Sequence, residues 1–144
     1  MDYQYLITPF LAWLIAGGLK FLINSWRARR LAFGLIGYGG LPSNHSAIVS
    51  SMTALIAFRE GIATPVFGVS ITLAFIVILD AASLRKQIGS QAVVINQLVK
   101  HSGLDKSQVR ERIGHSKLEI VAGIVVGCVV AACVNWGLSS GPTS

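Results

Sequence analysis

Four stretches of this chain are too apolar for water: Tyr3 to Ser25, Ser43 to Phe58, Thr64 to Leu79 and Leu118 to Trp136. The first carries Lys20 as its one charge and is long enough to cross a hydrocarbon core, which takes about 20 helical residues. The second is shorter and rich in Ser, Ala and Thr, small residues that let helices approach closely in lipid. The third is the most lipid-like and stops at Asp80. Only 12% of the residues are charged, against about a quarter in an ordinary soluble domain. A chain of 144 residues with a mean hydropathy of +0.65 has no means of covering its own surface in water, whereas a bilayer solvates the outer faces directly. The expected fold class is therefore all-α: a polytopic membrane helical bundle forming one domain over residues 1–137. Its four membrane helices are expected near 4–25, 43–60, 63–82 and 116–137, with 138–144 as a disordered tail. The N-terminus lacks a basic n-region and a cleavage site, so it reads as a retained span.

Between the third and fourth spans the texture changes. Ile88, Ala92, Ile95 and Val99 recur at helical spacing among polar residues, predicting an amphipathic helix near 86–101 that lies on the membrane surface or packs over a site. Asp105 with Gln108 has the pattern of a capping box for a short helix ending near Gly114. Cys128 and Cys133 lie in an apolar run five residues apart, with no further Cys or His nearby; buried free thiols are expected.

The charge is one-sided. The net charge is +6, and the basic residues sit between apolar spans, which favours anionic headgroups or a phosphorylated substrate over nucleic acid. If four spans alternate from an outside N-terminus, Lys20, Arg27, Arg29, Arg30, Arg85, Lys86, Lys100, Lys106, Arg110, Arg112 and Lys117 share one side, and only Arg59 is opposite. The positive-inside rule makes the crowded side cytoplasmic.

Three stretches on that basic side carry chemistry. Lys20 and Arg27, seven apart, fall on one helical face about two turns apart, where two cations clamp phosphate oxygens or simply snorkel to the interface. Ser43 has the character of an N-cap, leaving first-turn N–H groups, such as that of Asn44, to attract an anion. His45 stands in that first turn, either to deliver a proton or as an incidental interfacial residue. His115 and Glu119, four apart, are neighbours on a helix, and a carboxylate so placed holds an imidazole in one tautomer. Ser116-x-x-Glu119 is equally a capping-box pattern. No metal-ligand cluster is visible.

Together these stretches resemble the type 2 phosphatidic acid phosphatase superfamily, whose signature runs K-x6-R-P, P-S-G-H and S-R-x5-H-x3-D. Here stand Lys20-x6-Arg27, Pro42-Ser43-Asn44-His45, and Arg85 followed by His115-x3-Glu119. The closest likeness is to the small divergent branch of that superfamily, in which an Asp-Ala-x-x-x-Arg element, here Asp80 to Arg85, precedes Gly-His-x-x-x-Glu. The chain departs from the main signature in several places. No Pro follows Arg27, Asn44 replaces Gly, Glu119 replaces Asp, and the Arg-to-His interval is far longer.

The resemblance implies that His115 is a nucleophile forming a phosphohistidine, with Glu119 orienting it and His45 protonating the leaving alkoxide. Lys20, Arg27 and Arg85 would stabilise the equatorial oxygens, aided by amides near Ser43 and Asn44, with Asp80 supporting a site cation. It implies no cofactor and no metal. The implied substrate is a membrane lipid phosphate monoester of phosphatidylglycerophosphate or phosphatidic acid type. Alternatives are a polyprenyl diphosphate phosphatase, a translocase, or a non-catalytic binder of anionic lipid. The expected partners are the bilayer and a phospholipid or polyprenyl phosphate substrate. With so few spans a homodimer completing the bundle is compatible with the sequence.

Overall fold

The computed structural model describes residues 3–29, 40–103, 108–111 and 114–139, and every regular element among them is helical. In chain order these are α1 (Gln4–Ala28), α2 (Asn44–Arg59), α3 (Pro65–Leu79), a π-helical turn (Asp80–Leu84), α4 (Arg85–His101) and α5 (Lys117–Ser139). The chain is an all-α membrane bundle. The segments expected at 138–144 and around Asp105 lie largely outside the described residues, although α5 itself continues to Ser139.

The helix starts follow from local chemistry. Ser43 caps α2, its hydroxyl accepting the Ser46 N–H at 3.4 Å. Thr64 caps α3 in the same way, accepting from Phe67 N–H, and Pro65 occupies the first helical position, where a missing N–H costs nothing. Ser116 caps α5 through the reciprocal bonds described below.

Among the described residues three helices are long and apolar enough to span a membrane: α1, the continuous helical run from Pro65 to His101, and α5 to Gly137. α2 stands where a span was expected, but it differs from the others in length and burial. Its 16 residues rise roughly 24 Å at 1.5 Å each, short of a hydrocarbon core of about 30 Å. α2 is instead the central helix, packed by α1, α3 and α5. Ser46, Ala47, Ser50, Ser51, Thr53, Leu55 and Ile56 are all buried along it. The polarity this would expose to lipid is absorbed locally: Ser51 donates to the Ile48 carbonyl at 2.8 Å and Thr53 to the Val49 carbonyl at 2.9 Å.

The α2–α5 contact is the tightest in the bundle. A Cβ built on Gly123 would lie 2.3 Å from the Ser43 carbonyl oxygen, and one on Gly127 would lie 2.5 Å from that of Ala47. Those two glycines, four apart, let the backbones meet, which is how helices gain packing energy in lipid.

At the far end of the bundle Tyr5 donates to the Glu60 carboxylate. This joins the start of α1 to the end of α2, beside Arg59. The near end gathers Lys20, Arg27, the α2 N-terminus, the π-turn and the start of α5. The short helix expected between Asp105 and Gly114 needs correction where it is described. Residues 108–111 are not helical, because Asn96 on α4 takes their backbone: its amide donates to the Val109 carbonyl at 2.7 Å and its oxygen accepts the Val109 N–H at 2.8 Å.

Candidate active site at the basic end of the bundle

The site forms where two helix N-termini meet. The Ser43 N–H donates to the Glu119 carbonyl at 2.8 Å, fastening the Pro42-Ser43 turn to the first turn of α5. The His115 N–H donates to the Ala81 carbonyl at 3.2 Å, fastening the residues just before α5 to the π-turn. A π-turn shifts the local hydrogen-bond register, and such turns recur at functional sites. The two bonds bring the His45 and His115 rings to a centroid separation of 5.9 Å, tilted at 53°.

Glu119 is the hub, with only 8% of its surface exposed. One carboxylate oxygen, Oε2, lies 3.1 Å from His115 Nδ1 and accepts the Ser116 N–H at 3.0 Å. The Glu119 N–H in turn donates to Ser116 Oγ, completing a capping box. The cap and the imidazole support, alternatives from sequence alone, are thus met by the same oxygen. Because that oxygen accepts, the proton of His115 belongs on Nδ1.

The cations are placed unequally. Lys20 is half-buried in α1 and feels the Glu119 carboxylate electrostatically. Its stem runs beside Gly40, where a Cβ would lie 3.8 Å from Lys20 Cγ and 3.3 Å from Asn24 Oδ1. The φ of +150° at Gly40 lies in territory open to glycine. Arg27, roughly 10 Å further along the helix axis, stands exposed in the last turn of α1. Arg85 begins α4; its side chain lies outside the described residues. Asp80 opens the π-turn.

Ser43 differs from the expectation of direct phosphate contact. It is fully buried, its N–H is taken by Glu119, and its hydroxyl accepts from both Ser46 N–H and Ser46 Oγ–H. Its part is to shape the turn. Asn44, the first residue of α2, keeps a buried side-chain oxygen without a partner among the described residues. Its amide nitrogen lies against Gly17 of α1.

Ala81, Gly123 and Gly127 hold the site together but were not among the residues singled out from sequence. The Gly123-x3-Gly127 spacing in an apolar helix was the available signal. Nothing local marks Ala81. Among the described residues no group of three or more His, Cys, Asp or Glu gathers as a metal-ion site would.

Residues 1–130 match the model of the divergent PAP2 family. The chain belongs to that family. It is also 30% identical over 147 aligned positions to the uncharacterized membrane protein YuiD of Bacillus subtilis (strain 168), covering 91% of this chain and 93% of that one. No solved structure matches. The family membership and the three long apolar helices make this an integral membrane protein related to phosphatases. Membership in the divergent branch also agrees with the departures in its motifs, including Glu119 where the main signature has Asp.

Proposed function

We propose that the chain is a metal-independent lipid phosphatase that hydrolyses a phosphate monoester of phosphatidylglycerophosphate or phosphatidic acid type at the cytoplasmic membrane face. The observation that carries this reading is the carboxylate-held imidazole of His115 facing that of His45 across 5.9 Å. Rings with centroids this close can both reach one phosphoryl group.

His115 Nε2 attacks phosphorus and the bond to the leaving oxygen breaks. His45, protonated, gives that oxygen its proton, and the alcohol departs. The imidazolium character that develops on His115 is balanced by Glu119 through Nδ1–H. Water then attacks the phosphohistidine with His45 as base, releasing inorganic phosphate and restoring both rings. Lys20, together with the unpaired N–H of Asn44 at the α2 N-terminus, stabilises charge on the equatorial oxygens. Arg27 adds positive charge at the end of α1.

The cytoplasmic assignment rests on the crowding of basic residues at this end, and it favours a lipid made on that leaflet. The test is phosphate release from a panel of lipid phosphates in detergent with chelator present, for the native chain and for His115→Ala. Turnover and a phosphoenzyme are expected in the first and neither in the second. Turnover that survives His115→Ala refutes the phosphohistidine route.

A further inference from the structure

Below the end of the bundle that carries the histidines, one flank is open. α3 packs along α2, with Ala74 buried and Thr53 Oγ reaching the Ser70 carbonyl at 3.3 Å. It makes little contact with α5 except through the π-turn at the top. The two helices therefore part below the Ala81–His115 bond and leave a cleft of about 590 Å³ floored by α2. Ser50 and Ala57 line it from α2, Phe75 and Ile78 from α3, and Ile124 and Cys128 from α5.

We infer that this cleft is the binding groove for one acyl chain of the lipid whose phosphate reaches His115. The inference rests on the proposed phosphatase reading and adds to it where the tail lies.

Three observations favour a hydrocarbon chain as the occupant. The first is continuity with the site. Ile78 lies one turn before Ala81, whose carbonyl holds His115, and Ser50 lies little more than one turn after His45. A tail lying in the cleft thus has its head at the two imidazoles. The second is polarity. The hydroxyls of Thr53 and Thr72, which also line the cleft, donate to the helix carbonyls of Val49 and Gly68 at 2.9 and 2.8 Å. They are already satisfied and present methyl groups to an occupant. The third is depth. His45 to Ala57 is twelve residues, roughly 18 Å of rise, against about 15 Å for half of a 30 Å hydrocarbon core. From the imidazoles to its lower end at Ala57, two residues before the end of α2, the groove takes an ordinary acyl chain lengthwise and is shorter than a long isoprenoid. The basic end supplies the matching attraction for the phosphate.

The test uses a diacyl lipid phosphate carrying a photoactivatable diazirine either high or low on one chain. The probe is bound to His115→Ala protein in nanodiscs, so that it stays intact. The shallow probe is expected to label Ile78 and Phe75 and the deep one Phe67 and Ala57, both displaced by unlabelled diacyl lipid phosphate. In parallel, Ala57→Trp fills the lower groove. It should raise KM for a long-chain lipid phosphate about tenfold, as the loss of two buried methylenes implies, while an aryl phosphate is turned over normally. Labelling spread over outward residues such as Leu14 and Leu73 as heavily as over the cleft overturns the inference. So does stronger displacement by a polyprenyl phosphate than by the diacyl competitor. Depth-ordered labelling of a native chain that hydrolyses nothing supports the groove and removes the phosphatase reading alone.

Discussion

Glu119 offers a substitution pair that separates two roles resting on one oxygen. Glu119→Gln preserves size and keeps an oxygen able to accept the Ser116 N–H, and glutamine is a normal capping-box partner. With the cap kept, stability should change by less than the roughly 1 kcal/mol that losing a cap costs. The charge opposite His115 is gone, however, and an amide can present its NH2 group to Nδ1, which favours the wrong tautomer. If His115 is the nucleophile, the rate should fall about 10²–10⁴-fold, the range of a positioned acid–base group. Glu119→Ala adds loss of the cap, costing about 1 kcal/mol, and lowers Tm by about 2–4 °C for a chain of this size. The assay is single-turnover phosphate release with thermal unfolding in the same detergent. A Glu119→Gln protein with near-native turnover would show that the carboxylate is a cap only and would refute the orienting role. Equal rate losses in both variants, with a lower Tm in the alanine variant alone, are the expected signature.

Gly123→Ala should destabilise the bundle by about 1–3 kcal/mol, the usual range for overpacking, because its Cβ would fall 2.3 Å from the Ser43 carbonyl; thermal unfolding reads the loss and phosphate release should fall with it. His45→Ala should spare attack on an aryl phosphate, whose leaving group needs no proton, and should abolish turnover of a lipid phosphate. Because His115 must be neutral while His45 is protonated, kcat/KM should follow a bell-shaped pH profile; a flat profile between pH 5 and 9, an interval of about two units either side of neutrality, would refute the paired roles. Ser102→Cys, at an exposed position after α4, should be shielded from an impermeant thiol reagent in intact cells once Cys128 and Cys133 are serine. Ready labelling would place the site outward and favour polyprenyl diphosphates.

Much of the bundle could be read from hydropathy. α1, α3 and α5 stand where uninterrupted apolar residues put them, and Ser43 caps α2 as its place before the Asn44-His45-Ser46 run suggests. The role of α2 could not be read so directly. Its serines and threonines look like a weak span, and only the packing of three neighbours shows that it is the shielded centre. Hydropathy measures what a segment prefers, not what surrounds it. The helix expected near Gly114 failed for a related reason, since Asn96, twelve or more residues away, claims the backbone of Val109.

In the candidate site, local spacing was enough to pair His115 with Glu119. Bringing His45 alongside depends on Gly123 and on the Ala81 carbonyl, contacts between segments far apart in sequence. Arg27 shows the opposite case, a motif position whose side chain faces solvent at the end of α1.

The shortness of α2 bears on how the protein reaches its membrane. A segment of 16 residues studded with hydroxyls gains little from entering lipid alone, since partition into the bilayer is judged on apolar length and on the depth of each polar group. α3, its successor after the turn at Gly61, is the far stronger signal. The two therefore enter as a hairpin, with α3 drawing α2 in. α2 remains poorly sheltered until α5 seats its glycines against Ser43 and Ala47. The sheltering of α2 and the assembly of the candidate site thus come together: His115 just before α5 and Glu119 in its first turn arrive with the helix whose docking makes the fold secure.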